Sequence, residues 1–596
     1  MNALTSRILF SGLILAALAA ISTPLAAEEP NGPFENIKAA PVAVTWQYSN
    51  DGGKTYSDKP HPAPPAGREP RPGNPTYPFA WKGTFEIADP AKVAELWVRI
   101  FEEHSEGNAP RATICNGDLI AASGGYWKDL GFCPTLLDAV IMLNGKEVPI
   151  AQGPILQFWV PLTGEIVKGK NTIELRGHVY TFGADGSAKI VQALDARMIA
   201  AEPQPAEINN GPILGDFGDG YFTLACRTQM PAEVTVEATP TEPAGPAVSA
   251  VSAGKIWHRM KVEVPQGTRK LSYRVSAKVG PHVTIRGPYT LKLPGNQFRF
   301  AAFGHALQQP TSQNWPHAEA IWKTNSQLVL TAQPAFVVNT GNLMEQESWS
   351  FQMEKCYTAP AAELLARVPT LITPCNRDFT GAFNELHYTP AADGYSHNWT
   401  KVVGPVRFIG IDCHYDWSAG GQNARWLEET LSSAKEKFIV VLCGYPGYSS
   451  GTNSKKFFGG RVASREVIMP LLAKHKATLM LSSWDPTYER IELPQDKGVT
   501  QIVTGCIAKG YWFKWDSRFG SHPFGPAQGG NPRGTQGKVM LLDGREWVGY
   551  FNTRHFCLFD VKDNALEMKV LACAKSADTD TKDLKVLDQK TFKPRN

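Results

Sequence analysis

The stretch Leu479-Met-Leu-Ser-Ser-Trp-Asp-Pro-Thr-Tyr-Glu-Arg490 decides how this chain reads. Residues 477–481 are an apolar run of strand length that stops at Ser482 and Ser483. Trp484, Asp485 and Pro486 then enter a loop, with Tyr488, Glu489 and Arg490 beyond it. Polar residues just past the carboxyl end of a strand are where open α/β sheets bind ligands. The stretch therefore predicts a covered sheet with a site at its strand ends.

Upstream, short apolar runs recur at 300–303, 336–338, 370–372, 408–411 and 438–442. Helix-like segments lie between them. In Trp426-Leu-Glu-Glu-Thr-Leu-Ser-Ser-Ala434, Leu427, Leu431 and Ala434 fall on one helical face. Ser464 is placed to cap a helix running to Lys476, with a bend at Pro470. Strands alternating with helices imply a sheet covered on both faces. Strands return after Gln501, ending in a β-rich tail around 556–570.

At 596 residues the chain is too long for one core. A net charge of +4, with no basic block, gives nucleic-acid binding no electrostatic support. Residues 1–27 read as an export signal: Arg7, an apolar stretch at 8–20, then Pro24-Leu-Ala-Ala27. No later run approaches the roughly 20 apolar residues of a membrane span. Export, periplasmic or extracellular, is expected, and it would permit disulfides. Of the ten cysteines, Cys115 and Cys133 are the expected pair, flanking a Gly-rich loop. Cys226, Cys413, Cys443 and Cys557 lie in apolar runs and are expected as buried free thiols.

Proline density over residues 60–78 predicts an extended surface segment unable to pair in a sheet. Alternation then dominates to residue 180, with Asn144-Gly145 as a hairpin signal between two apolar runs. Leu143-Asn-Gly, a strand, then Lys168-Gly-Lys-Asn-Thr-Ile-Glu-Leu175 resembles the galactose-binding-like β-jelly-roll found beside many secreted hydrolases. Such a domain implies carbohydrate as a candidate ligand, with Trp127, His178 and Tyr180 available to touch it. The motif residues themselves testify to fold. Residues 213–294 alternate again, as in Ala232-Glu-Val-Thr-Val-Glu-Ala238, and predict a small β-sandwich resembling a fibronectin-III-like domain.

The opening stretch is similar to the Ser-Gly-His-Asp-His-x-Tyr-Glu-Arg loop of calcineurin-like metallophosphoesterases, in the purple-acid-phosphatase-like branch. The resemblance spans roughly residues 297–570. It implies an α/β/β/α sandwich whose strand ends hold two di- or trivalent metals. Cations about 3.5–4 Å apart clamp the attacking and leaving oxygens in such sites. Phe298-Arg-Phe-Ala-Ala-Phe-Gly304 matches the first strand, but the following aspartate is His305, and the ligand two positions on is Leu307. After Pro334-Ala-Phe-Val-Val-Asn-Thr-Gly341 the bridging aspartate is Asn342.

Cys375-Asn-Arg-Asp378 stands where the resemblance implies Gly-Asn-His-Asp, so Asn376 and Asp378 are kept while Arg377 replaces histidine. In Val440-Val-Leu-Cys-Gly-Tyr-Pro-Gly-Tyr-Ser-Ser-Gly451 the metal histidine is Gly444, followed by Tyr445. In the opening stretch the last two histidines are Trp484 and Pro486, flanking Asp485. Of the implied ligand positions, only Asn376 keeps its residue.

Gly444, Pro486 and Leu307 carry no donor, and tryptophan has no lone pair for a metal. The expected cofactor is therefore none, and the chain reads as a pseudo-metallophosphoesterase lacking ordinary phosphatase activity. Two fates for the cleft compete: an anionic-ligand or partner site, with Arg377 as the oxyanion contact, or a cleft filled by Trp484 and Pro486. The alternative is an active hydrolase using a rearranged metal site from Asp412, His414, Asp416, His387 and His397. A cysteine nucleophile, Cys375, Cys443 or Cys506, would need a base, His305 being the nearest. The expected organisation is multidomain: signal peptide 1–27, Pro-rich segment 28–79, jelly-roll 80–205, fibronectin-III-like sandwich 206–294, phosphoesterase-like domain 295–572 and tail 573–596.

Overall fold

The computed structural model describes residues 39–49, 51–58, 75–93, 95–104, 140–148, 159–162, 165–180, 191–201, 207–306, 318–343, 353–375, 378, 381–391, 398–413, 417–449, 463–485, 487–492, 499–508, 537–540, 546–551, 553–573 and 581–595. Among these, strands outnumber helices and assemble into five sheets. No helix among them is long and apolar enough to cross a membrane. Cys115 and Cys133, with residues 1–38, lie outside the described residues.

Two N-terminal sheets share one core. The first is built on Glu95–His104 and Val191–Ala201, the second on Pro75–Ile87 and Gly169–Tyr180. Trp46, Trp81, Phe85 and Leu175 from the second meet Leu96, Val98 and Met198 from the first. The hairpin Val140–Leu143 to Lys146–Val148 turns through Asn144 and Gly145, both at positive φ, as the dipeptide predicts. The proline argument needs one correction. Strand Pro75–Ile87 pairs with the Gly169 strand from Pro75 onward, including Pro78 opposite His178. The other neighbour, Val44–Ser49, pairs from Ala80 to Phe85.

Residues 208–292 lie within the 206–294 segment expected as a fibronectin-III-like sandwich. They form one hydrogen-bonded five-stranded sheet. The 22-residue strand Tyr221–Glu242 serves two sets of neighbours. Its first third pairs with Ile208–Gly218, its last half with Lys270–Val279, and Val248–Glu263 runs beside both. Two mixed sheets follow. In the six-stranded one, Phe298–Phe303, Phe336–Asn339 and Thr370–Ile372 run parallel, continued by the antiparallel strands His555–Lys562, Ala565–Ala572 and Val586–Phe592. In the eight-stranded one the parallel centre is Val406–Ile411, Phe438–Cys443, Leu479–Ser482 and Thr500–Thr504. Every apolar run read from the sequence in this half is a strand.

Strand periodicity assigns the faces. Phe300 and Ala302 share a core with Phe408, Val440, Leu442 and Leu481 of the other sheet, whereas Ala301 and Phe303 pack with Trp322 of helix Ala318–Thr331. On the far side, Ile409, Ile411, Val441 and Met480 pack with Leu427 and Leu431 of helix Gln422–Ser432. Phe300 stacks on Phe559 with ring centroids 4.6 Å apart, at the centre of the shared core. Ser464 does not cap its helix. Ala463 holds the cap position, a π-helical turn runs Ser464–Ile468, and Met469–Lys474 continues as α-helix. The Ser464 hydroxyl donates instead to the Tyr445 carbonyl, 3.1 Å away.

Candidate functional site

The carboxyl ends of both parallel sets converge, and each strand hands its chain to a tight turn. After Phe298–Phe303, a Cβ on Gly304 would lie 2.5 Å from both Ser483 Cβ and Thr340 Oγ1. Three strand ends touch there without room for a side chain. Ser483 Oγ donates to the Thr340 carbonyl at 2.8 Å, and Gly304 N donates to Thr504 O at 2.8 Å.

His305 and Asn342 follow their strands, both buried and both at positive φ, 52° and 59°. A left-handed backbone is uncommon for non-glycine residues and is held only where surroundings impose it. Here His305 N donates to Gly341 O at 3.0 Å, and the Asn342 side-chain amide meets His305 Nε2. The two groups that could donate to a metal are thus turned on each other.

Asp378 has a specific task. Its carboxylate accepts from the backbone N–H groups of Asn342, of Leu343 at 2.8 Å and of Cys375 at 2.9 Å. It is 3% exposed and braces the 341–343 turn against the 373–375 turn. Three N–H donors satisfy a buried carboxylate, which otherwise costs heavily to desolvate. Asn376 and Arg377 lie outside the described residues, as do Leu307, Pro486, His397, His414 and Asp416.

The next turn is filled rather than open. A Cβ on Gly444 would sit 2.8 Å from Cys375 Cα and Cβ and 2.9 Å from its Sγ. Gly444 O accepts from Ser483 N and Trp484 N at 3.2 and 3.1 Å, which fixes the Trp484 loop onto the same turn. Trp484, 2% exposed, meets Tyr445 edge to face with centroids 4.7 Å apart. Both belong to the core that holds Cys375, Cys413, Cys443 and Ile411. Asp485 is fully buried beside them, and its carbonyl accepts from Thr487 N at 2.8 Å.

Tyr488, Glu489 and Arg490 lie on strand Thr487–Glu492. Glu489 Oε1 accepts from Thr487 Oγ1 and Ser449 Oγ, each at 3.0 Å. Arg490 grips Asp588 with two nitrogens, at 2.6 and 3.2 Å, and Tyr488 donates to the same carboxylate at 2.6 Å. This ties one sheet to the closing strand of the other. Gln501 Oε1 accepts from Tyr448 N at 2.9 Å while its amide donates to Tyr448 O, clamping that loop from both sides. In the sequence Ser483 and Gln501 mark only the edges of elements; the bonds they make across strand ends are not read from it.

Of the residues considered for a rearranged metal site, His387 and Asp412 are the two that the structure describes. His387 packs against Phe383 and Tyr357, centroids 5.0 and 5.9 Å away, and burial pushes its imidazole down to about 3. Asp412 closes its own strand end, its N–H donating to Asn398 Oδ1 at 2.9 Å. Among the described residues, no three His, Cys, Asp or Glu side chains form a group that could hold a metal. The thiols of Cys226, Cys443 and Cys557 are free, buried and pushed up to about 12 by desolvation, and that of Cys413 is also raised. A nucleophilic cysteine needs the opposite.

No family model matches this sequence, and no curated protein matches it. Solved structures do. A purple acid phosphatase from yellow lupin (Lupinus luteus) seeds, PPD1, aligns over 87% of this chain and 94% of its own at a TM-score of 0.51 and 14% identity. PhoD aligns over 65% of this chain and 93% of its own at 0.47 and 13%. GAP50, described as the anchor in the inner membrane complex of Plasmodium, aligns over 50% and 90% at 0.34 and 17%. At 14% identity the likeness to the lupin purple acid phosphatase is one of fold alone.

Proposed function

We propose that this chain is an exported pseudo-metallophosphoesterase: the phosphoesterase frame is retained while side-chain packing has replaced the dinuclear centre. Its organisation would be a jelly-roll, a fibronectin-III-like unit and the phosphoesterase-like sandwich in series. The observation that carries the reading is the contact of Gly444 with Cys375. Relative to the pattern the resemblance implies, a glycine has become cysteine and a histidine has become glycine, and the two changes meet face to face. A histidine at 444 has no volume to occupy.

The remaining donors support the same reading. Trp484 and Gly444 offer a metal nothing, while the Asn342 amide occupies His305 Nε2. Asp378, which the sequence pattern would place beside a cleft, spends both oxygens on backbone amides. A pair of cations needs carboxylate charge that these residues do not supply. With Trp484 buried against Tyr445, the filled cleft is the better supported of the two fates.

Metal analysis of the purified protein, together with aryl-phosphate turnover after incubation with Fe, Zn or Mn, tests this. Substoichiometric metal and no metal-dependent turnover are expected. Two equivalents of bound metal with turnover would overturn it. The export half is tested separately by sequencing the mature N-terminus, which should begin just after Ala27.

A further inference from the structure

At the opposite end of the eight-stranded sheet lies a groove of about 910 Å³, within the range of small-molecule sites. It opens at the amino ends of the parallel strands, where Ala477–Thr478 and Thr500 begin them and the chain passes from Lys590 to Arg595. Among the described residues five cationic side chains line it, Lys474, Lys476, Lys590, Lys593 and Arg595, against one carboxylate, Glu492.

That carboxylate is already engaged. Glu492 Oε1 accepts from Lys590 Nζ at 2.7 Å and from Arg490, and Oε2 accepts from Thr500 at 2.9 Å. Lys474 pairs with Glu428, which does not line the groove. Arg595 is held in place by neutral partners, its backbone N–H donating to Lys437 O at 2.9 Å and Nη2 to Ala434 O at 3.1 Å. Carbonyls orient a guanidinium without cancelling its charge. Lys593 has no carboxylate partner among the described residues. A concave wall with fixed, uncancelled positive charge focuses potential into the groove.

We propose that this groove binds a small ligand bearing two or more anionic oxygen groups. The fixed guanidinium and the nearby ammonium groups suit phosphate or carboxylate oxygens. The concave shape, and a chain with no basic block and a net charge of only +4, fit a compact ligand better than a polymer. The site is separate from the carboxyl-end turns and does not depend on whether those turns hold metal.

Calorimetric titration of the full chain with inorganic pyrophosphate, citrate and sulfate tests the proposal. Saturable 1:1 binding of pyrophosphate or citrate is expected, and the stronger of the two identifies phosphate or carboxylate as the preferred group. Lys593→Glu should weaken it roughly tenfold or more, the scale of a lost charge-assisted hydrogen bond. Lys593→Ala should weaken it less, with an unchanged melting curve, and Lys168→Glu on an exposed N-terminal turn should not alter it. Absence of saturable binding, equal weakening by Lys593→Glu and Lys168→Glu, or loss through Arg377→Ala instead would each overturn it.

Discussion

Gly444→Ala is the smallest change that tests whether the turn at Gly444 is filled. The added Cβ would lie 2.8 Å from Cys375 Cα and Cβ and 2.9 Å from Sγ, all inside van der Waals contact. One of the obstructing atoms is backbone, so a rotamer change in Cys375 cannot relieve the clash. Overpacking a filled core costs about 1–3 kcal/mol. For a unit of this size each kcal/mol lowers the melting temperature by about 2 °C, so a fall of about 2–6 °C is expected. Cys375→Gly alone removes a fully buried thiol and should cost about 2 kcal/mol. In the double variant the alanine methyl takes part of the thiol's space, although Cys375 Cα still limits it. The double loss should therefore fall short of the sum of the single losses by about 1 kcal/mol, in the range measured for residues in contact. Differential scanning fluorimetry of the four proteins reads this directly. A Gly444→Ala melt within about 1 °C of the parent, or strictly additive losses, would refute a packed turn.

Two further outcomes follow from the same geometry. Trp484→Ala should cost about 3–5 kcal/mol, as for other buried tryptophans; a melting temperature left near the parent value would instead mark an indole kept for a ligand. Stability should also fall on mild acidification. Burial holds His387 at about 3 and His555 at about 4, below the unfolded value near 6.5, so the unfolded chain takes up protons first as pH drops from 6.5 to 4. Glu354, raised by burial to about 7 despite Arg227 and Arg286, acts oppositely between 4.5 and 7 by favouring the protonated folded state. Two histidines outweigh one glutamate, so the net slope is positive. Replacing His387 with Phe should flatten it, and a slope unchanged by that substitution in pH-dependent melts would contradict the assignment.

The strands of the C-terminal half were legible because strands of a covered parallel sheet are continuous apolar runs, as at 438–442 and 477–481. The helix at Gln422–Ser432 was legible from Leu427 and Leu431 for the matching reason of period. Other features depend on distance in space. Pro78 lies opposite His178 in a sheet, which the proline itself does not encode. Ser464 has the composition of a cap, yet its hydroxyl reaches the Tyr445 carbonyl of another strand end. The complementarity of Cys375 and Gly444 was invisible because each looked like an isolated loss.

Asp378, Tyr488, Glu489 and Arg490, which match the implied pattern, have structural duties, with Asp588 and Gln501 as their neighbours. Tyr488, Arg490 and Asp588 join the two sheets; Glu489 and Gln501 anchor the 448–449 loop; Asp378 binds two turns together. Each holds backbone or a partner strand, and removing one would leave buried donors or charges unmet at a cost of about 1–3 kcal/mol or more. Among the positions that differ from the implied pattern, 305, 342, 444 and 484 are described here, and the resemblance implies that their side chains in a phosphoesterase would face the cations. On the proposed reading those side chains are replaceable, provided the vacated volume is filled. Cys375 against Gly444 and Trp484 against Tyr445 do that filling. A retained Tyr-Glu-Arg motif therefore reports the integrity of the frame, and only the ligand positions report the reaction.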